Sequence, residues 1–275
     1  MPRDRELEAG TSAHYEDPAY YTKTYRGRVE DVRYYVDLAE TEGGPVLEYG
    51  CGNGRIAVPL ARSGVEVLGV DRSAPMLADL RARLRDEPED VRARVTVRRG
   101  DMRSFRAPRR FPLVFCPFNA LLHLYARRDV ERFLARVRDH LTARGQLVFD
   151  VSMPDPEEHA RDPGRAYFAP RFRYPDEHGR PGPMIRYSER FDYDRLRQIM
   201  FVAMEFAPQD GSDPWMTPLA HRQFYPQELE ALLHYNGFTI TESYGDFFRS
   251  PLASSSRTIL LHCRPRRTSG RRTFR

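Results

Sequence analysis

The stretch VLEYGCGNGR, residues 46–55, constrains the fold of this chain more than any other part of the sequence. A short apolar run ends in three glycines at alternate positions, Gly50, Gly52 and Gly54, and a helical pattern follows them. Glycines let a ligand approach the backbone closely, and the start of the following helix offers free N–H groups. A glycine-rich turn between a first strand and a helix is typical of nucleotide-type sites in parallel α/β sheets.

Short apolar runs alternate with helical patterns, which favours a parallel sheet flanked by helices. The predicted core strands are PVLEY, VEVLGVD, RVTVRRGD, FPLVFCP and QLVFDVS. The predicted core helices are RIAVPLARSG, SAPMLADLRARLRDE and RRDVERFLARVRDHLTARG, the last ending at Gly145. Residues 17–40 predict one or two further helices, and the chain closes with the helix PQELEALLHYNG and the strands FTITESYGDF and SRTILLHCR.

Between core and closing elements, residues 184–206 alternate in polarity like an antiparallel hairpin with a turn near residues 192–195, and PLAHRQFY is a candidate third strand. The sequence therefore predicts an α/β fold, with a seven-stranded mostly parallel sheet, helices on both faces, and an antiparallel β insertion late in the chain. The predicted segments are an N-terminal helical lid (1–45), a cofactor-binding core (46–153), a loop and hairpin insertion serving as substrate cover or dimer contact (154–225), the last helix and strand pair (226–264) and a basic flexible tail (265–275).

Composition argues against several other classes of protein. Without the six arginines of residues 264–275 the formal net charge falls from +5 to −1, so the basic excess belongs to the chain end, and a nucleic-acid-binding face is not expected. No apolar run reaches about 18 residues and the first residues contain no apolar leader segment, so neither a membrane span nor a secretory signal is expected. Three widely spaced cysteines indicate a reducing, cytoplasmic protein without a disulfide frame or a metal site.

Three acidic residues indicate that the ligand of the glycine turn is a nucleoside. Asp71 ends the second strand, 23 residues after Glu48, where a carboxylate accepts both hydroxyls of a ribose. Asp101 ends the third strand, where an adenine amino group is within reach. Nicotinamide enzymes and S-adenosylmethionine (SAM) methyltransferases both fit this geometry. The G-x-G-x-G spacing favours the second class, as does Glu48, because an acid beside the turn suits the cationic amino and sulfonium groups of SAM.

Taken in order and spacing, five stretches resemble the class I SAM-dependent methyltransferase family over residues 46–238: VLEYGCGNGR, VLGVDRSAPML, RRGDM, FPLVFCPFNALLHL and RQFYPQELEALLHYNGF. Within that family the chain looks like the small-molecule N- and O-methyltransferases, including those acting on amino sugars and glycine-like amines. In that group a late β-hairpin insertion covers the substrate site.

The resemblance implies a Rossmann-like core that holds SAM, with S-adenosylhomocysteine (SAH) as product. It places Gly50, Gly52 and Gly54 along the methionine part, Asp71 on the ribose, Arg72 and Met76 along the adenine, and Asp101 and Met102 at the adenine edge. In related enzymes an N-terminal segment folds over SAM, and Tyr21 and Arg28 are the residues expected to meet its carboxylate.

The stretch CPFNALLHL leaves the fourth strand at the sheet edge where α/β proteins place their ligands. Phe118 and Asn119 are expected to face the sulfonium. His123 follows Asn119 by four residues, so on a helix the two share a face. His123 is then either a base that takes a proton from the attacking amine or hydroxyl, or a packed helix residue; the sequence favours neither.

The expected activity is transfer of a methyl group from SAM to a nitrogen or oxygen of a small metabolite by in-line displacement. Two alternatives remain at the level of sequence: an RNA or protein methyltransferase that uses the arginine-rich tail, and a non-catalytic SAM-binding module. A homodimer is compatible with the sequence, a membrane partner is not expected, and the acceptor is not identified.

Overall fold

A computed structural model of the chain describes residues 5–173, 180 and 182–266. The predicted basic tail, from residue 267 onward, lies outside the described residues. The chain forms two compact units, one made of Met1–Asp17 with Pro154–Gln223 and the other of Pro18–Met153 with Phe224–Arg275. The first residues, predicted as part of the N-terminal lid, thus group with the insertion. No helix in the described ranges is long and apolar enough to cross a membrane.

The secondary structure follows the predicted alternation closely. The described helices are α1 (Arg5–Ser12), α2 (Pro18–Tyr25), α3 (Glu30–Glu42), α4 (Ala57–Arg62), α5 (Ala74–Arg85), α6 (Glu89–Arg94), α7 (Arg127–His140), α8 (Pro156–His159) and α9 (Pro226–Tyr235), with 3-10 turns at Ala13–Tyr15 and Ala120–His123. The described strands are β1 (Val46–Tyr49), β2 (Val67–Asp71), β3 (Val95–Arg99), β4 (Phe111–Cys116), β5 (Leu141–Ser152), β6 (Tyr167–Phe168), β7 (Phe172–Arg173), β8 (Met184–Asp194), β9 (Ile199–Pro208), β10 (Trp215–Arg222), β11 (Phe238–Tyr244) and β12 (Thr258–Pro265).

The larger unit is built on a seven-stranded sheet with strand order β11-β12-β5-β4-β1-β2-β3. The five strands from β3 to β5 pair in parallel, and β12 pairs antiparallel with β5 and β11. The predicted fold class is therefore confirmed. Strand order reverses between β1 and β4, so the loops after these two strands diverge and open a crevice at their carboxyl ends, where α/β sheets bind ligands.

Helices cover both faces of this sheet, as the burial of β4 shows. Side chains of successive strand residues point to opposite faces. Val114 and Cys116 belong to the hydrophobic cluster that includes α7 and α9, whereas Leu113 and Phe115 belong to the cluster that includes α3 and α4. A sheet buried on both faces requires nearly continuous apolar strands, which is why runs such as FPLVFC could be recognised in the sequence.

The smaller unit contains an antiparallel sheet in the order β10-β9-β8-β6, with β7 also pairing β8. The predicted hairpin and third strand are confirmed. The turn lies at residues 195–198, three residues later than predicted, because pairing continues to Asp194 opposite Ile199. The left-handed backbone of Gln198, with φ 54°, closes this turn.

The predicted end of α7 at Gly145 is wrong. The helix ends at His140, and Gly145 lies inside β5. A Cβ atom at Gly145 would lie 2.9 Å from the carbonyl oxygen of Phe111 and 3.0 Å from that of Pro112. The glycine therefore permits close contact between neighbouring strands and does not cap a helix. The helices α6 and α8 were not predicted from the sequence. The helix α1 lies inside the predicted helical segment 1–45 but before residues 17–40, where the helices were expected.

Candidate active site

The three glycines of the turn after β1 all have left-handed backbone, with φ values of 70° at Gly50, 52° at Gly52 and 84° at Gly54. Side chains are also excluded by space, because a Cβ atom at Gly50 would lie 2.7 Å from that of Ala120, and one at Gly54 2.3 Å from Leu80 Cδ1. Glycine is thus required here for both conformation and close approach. The turn brings bare backbone to the crevice between β1 and β4, as the sequence predicted.

Asp71, at the carboxyl end of β2, ties this turn to the start of α5. Its Oδ2 accepts the N–H of Gly52 at 2.8 Å, and its Oδ1 accepts the N–H of Ser73 at 2.8 Å. Burial raises the pKa of this carboxyl group, and the backbone donors act in the opposite direction. Each carboxylate oxygen retains a second lone pair, so Asp71 is still able to accept a hydroxyl hydrogen.

Glu48 is a buried acid of the site with a carboxyl oxygen that makes no hydrogen bond among the described residues. It lies in β1 and is only 2% exposed, and the oxygen without a hydrogen bond is Oε2. Burial raises the pKa of Glu48 to about 8, with Arg55 lowering it and Asp71 raising it further. Ionising a buried carboxyl group that has an oxygen without a hydrogen bond is costly, and a cationic ligand group would reduce that cost. The residues present therefore fit a cofactor that carries positive charge.

An aromatic and arginine cluster surrounds Phe118, the second residue after β4. The ring centroid of Phe118 lies 4.9 Å from that of Tyr25 and 6.3 Å from that of Tyr21, both on α2 and both edge-on. The guanidinium of Arg55 lies 4.3 Å from the Phe118 centroid, and that of Arg28 lies 5.5 Å away. Phe118 thus contacts α2 on one side and Arg55, which follows the glycine turn, on the other. Sequence reasoning predicted Tyr21, Arg28 and Phe118 for the site, and the structure brings all three together.

Sequence reasoning missed Arg55, although the residue closes the motif GCGNGR. Its guanidinium pairs with both carboxylate oxygens of Asp31 on α3, with Nη1 2.9 Å from Oδ1. It also hydrogen-bonds the side chain of Tyr21, whose pKa is raised by burial. A bidentate pair of this kind fixes an arginine in one orientation. The visible signal was the position of Arg55 one residue after Gly54, but its partner lies 24 residues earlier and only the fold reveals it.

At the predicted adenine end, Met76 packs beneath the glycine turn. Met76 is 1% exposed, and the methyl group of its side chain lies 3.2 Å from where a Cβ of Gly52 would be. Its N–H donates to the Ser73 hydroxyl that caps α5. Met76 thus lies in the interior beneath the turn, and its expected contact with the adenine stays a prediction.

The other predicted adenine residues lie near the ends of β2 and β3. Both carboxylate oxygens of Asp101 accept from the Arg103 side chain, which also lies 3.2 Å from Asp129. The Arg103 guanidinium lowers the pKa of Asp101. An adenine amino group would share this carboxylate with Arg103. Met102 is half-buried against the core, and Arg72 is exposed.

The predicted helix shared by Asn119 and His123 is absent. Asn119 has left-handed backbone with φ 63°, and residues 120–123 form a single 3-10 turn, so the two side chains do not share a helix face. The Asn119 Oδ1 accepts the N–H of Ser152 at 2.7 Å, and His123 Nδ1 lies 3.2 Å from the hydroxyl of Tyr125. The Asn119 side chain therefore binds a backbone N–H of β5. The role of His123 as a base stays a prediction.

Comparison with known proteins identifies the central part of the chain. Residues 46–145 match the family described as "Methyltransferase domain". The dTDP-3-amino-3,6-dideoxy-α-D-glucopyranose N,N-dimethyltransferase of Streptomyces fradiae is 31% identical over 128 residues, which is 46% of this chain and 47% of that protein. The chain thus spans about half the length of the curated relatives it matches.

Two solved structures cover nearly the whole chain. The CcbJ methyltransferase of Streptomyces caelestis is 25% identical, with a TM-score of 0.79, covering 94% of this chain and 99% of its own. The amino pentose methyltransferase CalS10 of Micromonospora echinaspora, solved with SAM, is 20% identical, with a TM-score of 0.66, covering 91% and 98%. The second likeness supports the fold alone.

Proposed function

We propose that this chain, which belongs to the class I SAM-dependent methyltransferase family, transfers a methyl group from SAM to an amine of a sugar or glycopeptide. The observation that carries the proposal is the buried Glu48 side chain beside the left-handed glycine turn, whose Oε2 has no hydrogen-bond partner among the described residues. A site of this kind suits a ligand that combines a nucleoside with a cationic amino acid end.

The residues that would hold the cofactor divide into two groups. Glu48 would take the ammonium group, and Asp71 the ribose hydroxyls, with bare backbone at Gly50 and Gly52 between them. Arg55 and Arg28 supply positive charge beside Phe118, which suits the carboxylate of the methionine part. When bound, SAM supplies an electrophilic methyl group, and the chain contributes orientation and exclusion of water.

The acceptor class is inferred from the relatives. The Streptomyces fradiae relative is named for dimethylation of a nucleotide-linked amino sugar. An amine attacks only when it is neutral, so turnover is expected to rise with pH towards the pKa of the acceptor amine. His123 is the candidate side chain for removing the proton, because it follows β4 in the loop next to Phe118.

The experiment uses the full chain, calorimetry and a mass-spectrometric transfer assay. Calorimetry with SAM and SAH tests the cofactor, and Glu48→Gln is the matched variant because it keeps the shape of the side chain and removes its charge. The transfer assay offers SAM with a nucleotide-linked 3-amino sugar, a glycopeptide bearing an amino sugar, and the same sugars with hydroxyl in place of amine.

We expect wild-type protein to bind SAM and SAH and to add one or two methyl groups to the amine-bearing acceptors only. Absence of heat with both cofactor forms would refute the assigned cofactor. Methylation of the hydroxyl sugars, with the amines left unmodified, would refute the assigned acceptor group while leaving methyl transfer in place.

A further inference from the structure

Two successive residues other than glycine adopt left-handed backbone directly after the Cys116–Pro117 step that ends β4. Phe118 has φ 53° and Asn119 has φ 63°. Asparagine tolerates this conformation, whereas a bulky aromatic residue rarely adopts it. Such strain persists only where the surroundings impose it, and it is concentrated at functional sites. The Phe118–Asn119 turn therefore needs a structural cause.

Hydrogen bonds from β5 provide that cause. The N–H of Phe118 donates to Oδ1 of Asp150 at 2.9 Å, and the N–H of Asn119 donates to the Asp150 carbonyl oxygen at 3.3 Å. From the other side, Asn119 Oδ1 accepts the N–H of Ser152. One residue of β5 thus holds both strained residues of the turn.

The Asp150 carboxylate is itself fixed by α3. The hydroxyl of Tyr35 donates to the same Oδ1 at 2.7 Å. Tyr35 is 0% exposed and Asp150 is 4% exposed, so neither side chain exchanges this bond for water. Buried carboxylates are costly unless hydrogen-bonded, and this one accepts from a helix and from a strained loop at once.

We propose that Tyr35 and Asp150 are positioning residues of the methyltransferase site: their hydrogen bonds hold the Phe118–Asn119 turn in the conformation from which the Phe118 ring meets Tyr21 and Arg55. This inference rests on the proposed function, because it assigns a role within that site. Tyr35 acts on the turn through Asp150, because its hydroxyl and the Phe118 N–H share the same carboxylate oxygen.

The charges around Asp150 give the proposal a pH signature. Burial raises the pKa of Asp150 to about 6, while the Phe118 N–H and the Tyr35 hydroxyl lower it. The titratable and charged groups that face the carboxyl group are Tyr35 and Asp31 on α3, Arg55 after the glycine turn, and Cys116 on β4. Removing the Tyr35 hydroxyl takes away a donor to the charged form, so the pKa of Asp150 rises further. The turn then loses its ionised acceptor at a higher pH than in wild-type protein.

The test compares Tyr35→Phe with Tyr34→Phe. Tyr34 is the neighbouring buried tyrosine on α3, but its hydroxyl contacts Nε2 of His262 and not Asp150. Each variant removes one buried hydroxyl, so both are expected to lower thermal stability. The two readouts are SAH affinity by calorimetry between pH 5.5 and 8, and the amide signal of Phe118 in protein labelled with ¹⁵N-phenylalanine.

We expect Tyr35→Phe to weaken SAH binding about tenfold near neutral pH, the size typical of a lost hydrogen bond to a charged group. SAH affinity is expected to fall at low pH as Asp150 is protonated, and in Tyr35→Phe this fall should begin at a higher pH. The pH midpoint of the Phe118 amide shift should move in the same direction. Tyr34→Phe should change affinity less than about twofold and leave the Phe118 amide in place.

Equal effects of the two tyrosine variants on SAH affinity would overturn the proposal, since both hydroxyls would then be merely structural. If Tyr35→Phe does not fold, the comparison moves to Asn119→Gly and Asn119→Ala, because only glycine accepts the left-handed backbone freely. Alanine must then weaken SAH binding more than glycine does, and the reverse order refutes the positioning role. Failure of wild-type protein to bind SAH would instead refute the proposed function itself.

Discussion

Replacing Glu48 by Gln should stabilise the ligand-free protein and weaken cofactor binding. The two effects have opposite signs because the ionised carboxylate is unfavourable in the ligand-free protein and favourable beside a cationic ligand. The pKa of Glu48 rises from 4.5 to about 8 on folding, chiefly through burial. Folding therefore favours the protonated form. The contribution of Glu48 to stability is fully present below pH 4.5 and is lost as the pH rises through 8.

The size of this effect follows from the two pKa values. Each pH unit between 4.5 and 8 lowers the free energy of unfolding by about 1.4 kcal/mol, so at pH 7 the ionisable side chain costs about 3 kcal/mol. A glutamine at the same place has no proton to lose. Its buried amide still needs a partner, so the measured gain at pH 7 should be smaller, about 2 kcal/mol.

Urea denaturation of both proteins between pH 5 and 8 measures the difference in unfolding free energy. The advantage of Glu48→Gln should grow steadily across this range. Glu66→Gln is the control, because the Glu66 side chain is 61% exposed on the surface and pairs with the exposed Arg109. A Glu48→Gln protein that is less stable than wild type at pH 7.5, or a stability difference that does not change with pH, would show that burial of Glu48 does not favour its protonated form.

The same variant tests the ligand. Glu48 is mostly protonated in the free protein at pH 7, and a bound ammonium group would favour its ionised form. Wild-type protein should therefore release a proton when it binds SAH, seen as a dependence of the calorimetric heat on the ionisation enthalpy of the buffer. Glu48→Gln should bind about tenfold or more weakly and release no proton from this position.

Two further substitutions test the geometry of the site. Arg55→Lys should weaken SAH binding about tenfold, because a lysine cannot keep the bidentate pair with Asp31, and calorimetry measures the loss. Gly54→Ala should lower the free energy of unfolding by about 3 kcal/mol, since it adds a clash with Leu80 to the left-handed backbone. Gly64→Ala, with φ 94° and nothing within 4 Å of the added atom, should cost only about 1 kcal/mol in the same denaturation assay, and equal losses would contradict the steric argument.

Much of the fold could be predicted because its strands carry strong local signals. Strands buried on both faces read as short apolar runs, and the turn after β1 requires glycine for reasons visible in the sequence. The end of α7 was not predictable in the same way. The stretch RDHLTARGQLVF, residues 138–149, contains no local stop signal at His140. The chain enters β5 at Leu141 because Leu141 pairs with Phe111 of β4.

The site was predictable where one residue carries the signal and unpredictable where two distant residues share it. Asp71 follows from its place at the end of a strand. The Arg55–Asp31 and Tyr35–Asp150 pairs depend on how α3 packs, and no spacing in the sequence gives that. Asn119 shows the same limit, because its left-handed backbone is imposed by β5 and replaces the helix that its neighbours favour.

The hydrogen bonds of the glycine turn give a second reason, independent of the glycine spacing, to prefer SAM over a nicotinamide dinucleotide. In a dinucleotide site, backbone N–H groups at the turn and the following helix face a pyrophosphate. Here the N–H of Gly50 donates to the Val70 carbonyl at 2.8 Å, that of Gly54 to the Cys51 carbonyl at 2.9 Å, and that of Gly52 to the Asp71 carboxylate. All three donors are used within the protein, and the Asp71 carboxylate occupies the Gly52 N–H that a phosphate would need. The turn therefore offers backbone shape, the Asp71 carboxylate and a Glu48 side chain that ionises beside a cation, which favours a cationic nucleoside such as SAM over a nicotinamide dinucleotide.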